Sequence, residues 1–402
     1  MTLTNGCGLS VLSRGDQEVN CLTISFPRGA TDLSTDSIYK IVQSTIIEGT
    51  KNYSPADISN TLDFNGAWLK VDIGTHFTDV KLYSLNSTFA NLLPLISDII
   101  NNPLFDDEIV KHTIEREIAG TEINFKKVAV MADLNMREAI SGPGSKLRNC
   151  DTIPDTLRRL KVEDVKEGYK SIFCASAPML SISGLITDSM VKSLDEGLQL
   201  NAFGLPLLAP DNYIKQEPQF GRRYIEMPDT KQAAVAIGIP TIDRNHPDYC
   251  KLRIAIMALG GYFGSRLMKT IREEMGLTYG ISAVLAGQPE GSYISIKCQT
   301  TQANVDRVIE EINNQINLMI TNPLSPEELA NLKATAMSSL VAVLDSPISI
   351  LDYIDNLKRL NAPIDYFNKQ QQAIEQITAD EISRLISLYL KDQPTVEVIA
   401  GA

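Results

Sequence analysis

The chain has 402 residues, enough for two or three domains with cores of their own. Its net charge of −12, from 37 Lys and Arg against 49 Asp and Glu, argues against nucleic acid as a partner, because phosphate binding calls for a basic footprint. No apolar run reaches the length of about 18 residues that a membrane span needs, and the six cysteines form no C-x-x-C pair, which speaks for inert thiols in a reducing compartment.

In chain order, the first eight residues, Met1-Thr-Leu-Thr-Asn-Gly-Cys-Gly, carry neither a secretory leader nor an Arg/Ser-rich presequence, so the expected location is the cytoplasm. An alternating strand is predicted over Val19–Phe26. Ser54-Pro-Ala-Asp then places a helix N-cap, Pro at the first helical position and an acid at the third. Asn65–Val71 contains the single Trp, Trp68, and leads into a strand; this aromatic either covers its own core or faces a ligand. Ser141-Gly-Pro-Gly-Ser-Lys-Leu147 lacks the G-K-[ST] ending of a phosphate loop and reads as an ordinary loop. Pro206, Pro210 and Pro218 mark an exposed linker. A second alternating strand follows over Ala233–Ile239. Capping signals recur at Ser325-Pro-Glu-Glu and at Thr378-Ala-Asp-Glu, the latter ahead of an apolar-periodic helix from Ile382 to Leu390.

Three segments repeat at nearly one offset. Gly74–Leu82 resembles Gly291–Lys297 (291 − 74 = 217), Asn102–Ile109 resembles Asn322–Leu329 (322 − 102 = 220), and Lys161–Lys166 resembles Thr378–Ser383 (378 − 161 = 217). The chain therefore reads as a duplicated unit, too long in period for a solenoid. Strands first and helices after, twice over, give an α+β class: two homologous domains, each a mixed or antiparallel sheet with helices mainly on one face. The expected boundaries are 1–204 and 222–402, with a linker over 205–221.

The most informative stretch is Gly260-Gly-Tyr-Phe-Gly-Ser-Arg-Leu267, followed by Ile271-Arg-Glu-Glu-Met-Gly-Leu-Thr-Tyr-Gly280. It pairs a glycine-rich turn with a helix and a second turn into a strand. Arg272 and Tyr279 are thereby set at one edge of a sheet. Taken singly, Arg272 reads as a helix ion-pairing residue and Tyr279 as a half-buried strand aromatic. Together, with Gly291 opening the next strand, these motifs resemble the C-terminal half of the pitrilysin/insulinase family of metallopeptidases, which includes the mitochondrial processing peptidase. With the duplication and the length, the resemblance covers nearly the whole chain. It implies that Arg272 and Tyr279 hold a substrate backbone and polarise the scissile carbonyl, a task for donors aimed at a developing oxyanion.

The same resemblance implies an inverted zinc motif, H-x-x-E-H, in the first half, whose Glu activates water. Anchored on Glu48-Gly-Thr-Lys-Asn52, the motif falls on Lys40-Ile-Val-Gln-Ser44, so Lys40, Gln43 and Ser44 replace His, Glu and His. The only histidines are His76, His112 and His246, and no two are four apart. Glu115 and Glu122, 71 and 78 residues past Ser44 (115 − 44 and 122 − 44), fall near the family's supporting and metal-binding glutamates. With His112 they could be read as a substitute metal site; the plainer reading is a solvated acidic stripe. The resemblance thus implies a zinc-less subunit with no cofactor of its own. Its partner would be a homologous catalytic chain with H-x-x-E-H and the zinc, or a second copy of itself, and its substrates unstructured peptides. The alternatives are a structural homologue, comparable to the core subunits of the respiratory bc1 complex, and a non-catalytic peptide-binding protein.

Overall fold

A computed structural model of the protein describes residues 1–401 apart from 143–144, 146, 148–150, 202–216, 229 and 288–290. Most of the expected linker at 205–221, and much of the Ser141–Leu147 loop, lie outside the described residues. The first half runs β1 (Leu9–Ser13), β2 (Val19–Phe26), α1 (Ile38–Thr45), α2 (Pro55–Phe64), β3 (Trp68–Ile73), β4 (Thr78–Leu85), α3 (Phe89–Asn101), α4 (Asp107–Phe125), α5 (Val128–Ser141), α6 (Pro154–Leu157), α7 (Val162–Phe173), β5 (Met179–Gly184) and α8 (Asp188–Gly197). The second runs β6 (Gly221–Ile225), β7 (Gln232–Thr241), α9 (Tyr249–Ile256), β8 (Ile281–Ala286), β9 (Ser292–Thr301), α10 (Val305–Thr321), α11 (Pro326–Val341), α12 (Pro347–Arg359), α13 (Tyr366–Gln376), α14 (Ala379–Tyr389) and β10 (Val396–Ala400).

The two sheets have one topology. Their strand orders are β1-β5-β2-β4-β3 and β6-β10-β7-β9-β8. The first pair of each is parallel and the remaining pairs antiparallel. The sequence repeats fall at matching junctions: Asn102 and Asn322 end α3 and α10, and Lys161 and Thr378 begin α7 and α14. Ser54 and Ser325 both close capping boxes, at α2 and α11. No single helix among the described residues is long and apolar enough to cross a membrane.

Alternation along the strands decides which side chains enter each core. Leu22, Ile24 and Phe26 of β2 join Leu69, Val71 and Ile73 of β3 against α1, α3 and α7. Val235, Ile237 and Ile239 of β7 meet Leu252, Val308, Ile312 and Leu385 in the second core. Arg384 on α14 donates to Glu381 at 2.8 Å and to Asp248 at 3.2 Å, and Lys251 reaches Glu381 at 3.3 Å, so charges tie α14 to the start of α9.

The compact units do not coincide with the sequence halves. One gathers Met1–Ile123, Lys146–Tyr213 and Leu344–Tyr353; the other gathers Asn124–Ser145, Ile214–Val343 and Ile354–Ala402. Helix α5, from the first half, lies on the second sheet, where Ala132, Met136 and Ala139 pack with Ala234, Ala236, Val396 and Val398. Small side chains let it approach closely. A Cβ on Gly238 would stand 2.8 Å from Ile140 Cγ1 and from Met136 Sδ. In return, the start of α12 joins the first unit, where Asp352 accepts two hydrogen bonds from Lys81 Nζ of β4, at 2.7 and 2.8 Å. That face of the first sheet is hydrophilic. It carries Thr23, Lys81 and Cys21, whose thiol burial pushes up to about 11.

Two outcomes follow from this packing. Gly238→Val forces α5 from its sheet and lowers the unfolding free energy by about 1–3 kcal/mol, seen as a lower urea midpoint. The Arg384 hydrogen bond, with Lys251 adding to it, holds the Glu381 carboxyl down to about 2, below its ordinary value of 4.5. A depressed value means that the stabilisation is complete above about pH 4.5 and is lost as the pH falls toward 2. Urea titrations at stepped pH should therefore show Glu381→Gln less stable than the parent at neutral pH, with the difference vanishing over that window.

Candidate functional site

Lys40, Gln43 and Ser44 all lie on α1 and are half-buried. The helix is entered through Ser37, buried in the left-handed region at φ 70°, whose Oγ accepts the Ile153 N–H at 2.8 Å. Gln43 Oε1 accepts the backbone N–H of Ile73 at 2.9 Å. Ile73 ends β3, the edge strand, so the amide standing at the base position caps an open sheet edge. Alternate residues of a strand turn their N–H and C=O to the same side. Leu69 and Val71 therefore direct theirs to that edge as well. Lys40 Nζ lies 5.6 Å from the centre of the Tyr39 ring. This donor set does not fit zinc: an ammonium, an engaged amide and a lone hydroxyl stand where two imidazoles and a carboxylate are required.

Glu115, Glu122 and His112 are all exposed on α4, whose buried face carries Val110, Thr113, Ile114 and Thr121. Glu122 pairs with Arg158, which also reaches Asp155 at 2.6 Å. Among the described residues, no group of three or more His, Cys, Asp or Glu side chains is placed to hold a metal ion. Trp68 does not cover its own core. It is 63% exposed on the opposite face of β3 from Leu69 and stacks on Tyr83, with ring centres 5.4 Å apart.

Arg272 and Tyr279 belong to the second unit. α9 passes at Met257 into a π-helical turn, Met257–Gly261, and a second π-helical segment, Met268–Glu274, carries Arg272. Such turns are rare and gather at functional sites. Glycine is required at 260: a Cβ there would sit 2.7 Å from the backbone N of Ala283, so the turn lies directly on β8. Ser265 N–H donates to Tyr262 O at 3.1 Å, closing the turn. Arg266 grips Glu328 with two bonds of 2.7 and 3.0 Å, fixing the turn to the capping box of α11. Burial pushes the Glu328 carboxyl up, but the Ser325 amide and then the Arg266 guanidinium outweigh it and hold the group below its ordinary value. Beyond the helix, Gly276 takes φ 64°. Thr278 Oγ1 donates to Gln299 O at 2.6 Å and accepts the Gly280 N–H at 3.1 Å, anchoring the loop around Tyr279.

The result is an anchored turn that leaves Tyr279 outward and Arg272 half-buried. Tyr279 is 93% exposed. The Arg272 guanidinium stands 5.0 Å over the ring of Phe263, itself 63% exposed, and this cation–π contact orients it. Phe263 is the added member of the group. Its one signal in the sequence is an aromatic residue inside a glycine-rich turn. Ser265 is 1% exposed and its Oγ has no hydrogen-bond partner among the described residues. A buried hydroxyl left unpaired costs about 1–3 kcal/mol, so Ser265→Ala is expected to stabilise the chain by about 1 kcal/mol in urea unfolding.

Residues 159–336 match the family described as the peptidase M16 inactive domain. The chain is 20% identical over 367 residues to the non-peptidase homolog YmxG of Helicobacter pylori, covering 90% of this chain and 84% of that one. It is also 20% identical over 315 residues to the uncharacterized zinc protease YmxG of Bacillus subtilis, covering 77% and 75%. The crystal structure of a peptidase M16 inactive domain from Pseudomonas fluorescens matches with a TM-score of 0.86 at 18% identity, over 100% of this chain and 97% of that one. A protease from Helicobacter pylori matches at 0.85 and 14% identity, over 100% and 98%. At such identities the solved structures establish the fold. The sequence relatives, the family match and the substituted positions on α1 carry the rest. Residues 159–336 thus resemble the peptidase M16 inactive domain, the chain as a whole shares the fold of such proteins, and its sequence contains no H-x-x-E-H zinc motif.

Proposed function

We propose that this chain is the zinc-less subunit of a two-chain peptidase. A homologous partner with an intact H-x-x-E-H supplies the zinc and with it the activated water. This chain contributes Arg272, Tyr279 and part of the wall of the substrate cavity. The observation that carries the reading is the exposed Tyr279, with a half-buried Arg272 oriented by the Phe263 ring, on a turn fixed by Gly260, Arg266 and Thr278. A guanidinium and a phenol held this way can donate to a peptide carbonyl as its oxygen gains charge. Unstructured peptides suit such a site, because only an extended backbone can lie along a strand edge.

A second reading, peptide binding without any cleavage, draws on β3. Its open edge directs the backbone groups of Leu69 and Val71 outward beside the exposed face of Trp68. The non-peptidase name of the Helicobacter relative accords with it. Cleavage of a quenched fluorescent peptide by the catalytic homologue, with and without this chain, separates the two. On the leading reading this chain raises kcat/KM, and Arg272→Ala removes about 10²–10³-fold of that gain. Unchanged cleavage with Arg272→Ala would overturn the active-site contribution. Peptide binding by the isolated chain with no stimulation of cleavage would favour the second reading.

A further inference from the structure

A half-open recess of about 240 Å³ lies in the second unit, lined in part by Gly261 of the glycine-rich turn. Its walls are mostly apolar, with Ile254 from α9, Met257 from the π-helical turn, Leu285 from β8, Leu340 from α11 and Ile374 from α13. That volume is the space of about eight water molecules at about 30 Å³ each. It is smaller than the sites that accept drug-sized ligands, about 300–1,000 Å³.

Among the polar residues of the lining, which also include Ser339 and Gln370, one is charged. Arg253 is exposed and lines the cavity, and among the described residues its guanidinium has neither an ion pair nor a hydrogen bond. Some other arginines of this acidic chain hold carboxylates, while Arg116 and Arg307, like Arg253, hold none among the described residues. Arg222 holds Glu397, Arg266 holds Glu328 and Arg384 holds Glu381. Ser339, also in the lining, already donates its hydroxyl to Thr335 O at 3.0 Å. A guanidinium with no carboxylate, set against an apolar recess, selects a ligand with an anionic head and an apolar body.

We infer that this cavity binds a small amphipathic carboxylate, its chain of about six to eight carbons among Met257, Leu340 and Ile374 and its head group on Arg253. The site is separate from the Arg272 and Tyr279 edge and stands whether or not the chain meets a peptidase partner.

Isothermal titration of the full chain with butanoate, hexanoate, octanoate and dodecanoate tests it, with octanol as the uncharged control. Affinity should rise about fourfold per added methylene up to octanoate and gain nothing further at dodecanoate, since burial of each methylene has a fixed worth only while the cavity has room. Arg253→Gln should weaken octanoate about tenfold and leave octanol unchanged. Leu340→Trp should abolish both by filling the space, and if that variant does not fold, Ala336→Leu serves as the smaller filling change. Octanoate should also raise the melting temperature of the parent chain, as a ligand of the folded state does. The inference fails if millimolar octanoate gives neither heat nor a melting shift. It fails equally if affinity climbs through dodecanoate and ignores Arg253→Gln, the pattern of surface adsorption.

Discussion

A sheet that is apolar on both faces has to be covered on both, and much of this chain is arranged to meet that demand. Val235, Ile237 and Ile239 of β7 turn toward the helices of their own half, while Ala234, Ala236 and Gly238 leave a shallow floor on the other side. The helix that fills the floor is α5, from the other half of the chain. The first sheet solves the same problem differently. Its second face is hydrophilic, and the segment from the second half engages it through the Lys81–Asp352 ion pair. The α5 cover combines buried area with an ion pair between Asp133 and Lys297 of β9, and the α12 cover combines the Lys81–Asp352 pair with buried Leu351.

The elements that could be read from the sequence were those whose cause is local. β2 fills the predicted span Val19–Phe26, and the Ser54, Ser325 and Thr378 signals each begin a helix because a side-chain oxygen meets a nearby backbone N–H. The exchange of α5 and the start of α12 was not legible. Helical periodicity shows that a face must be buried but does not say against what. The segment Ala233–Ile239, predicted as an alternating strand, in fact contains no polar residue, the mark of a strand covered on both faces. The π-helical turns were equally hidden, since they arise where Gly260 lets the backbone settle on β8, a contact made across about twenty residues of chain.

At the site, the sequence pointed to the chemistry of each position but not to its present employment. That Gln43 cannot act as a base follows from its amide alone. That it caps the end of β3 required the fold, because Ile73 is thirty positions away. In the same way, the outward reach of Tyr279 depends on Thr278 gripping the neighbouring strand, and the orientation of Arg272 on a ring nine residues earlier. Position within a motif fixes what a residue is able to do; its hydrogen-bond partners decide what it does.

The crosswise placement of α5 and the first turns of α12 gives the chain the character of a domain-swapped dimer made covalent. Each repeat lends the other a piece that its own sheet would otherwise lack. A single repeat standing alone would leave Ala234, Ala236 and Val398 open to water and so would be driven to find a second copy. Each repeat therefore depends on a segment that the other supplies, and cutting the chain between them would not release two self-sufficient domains.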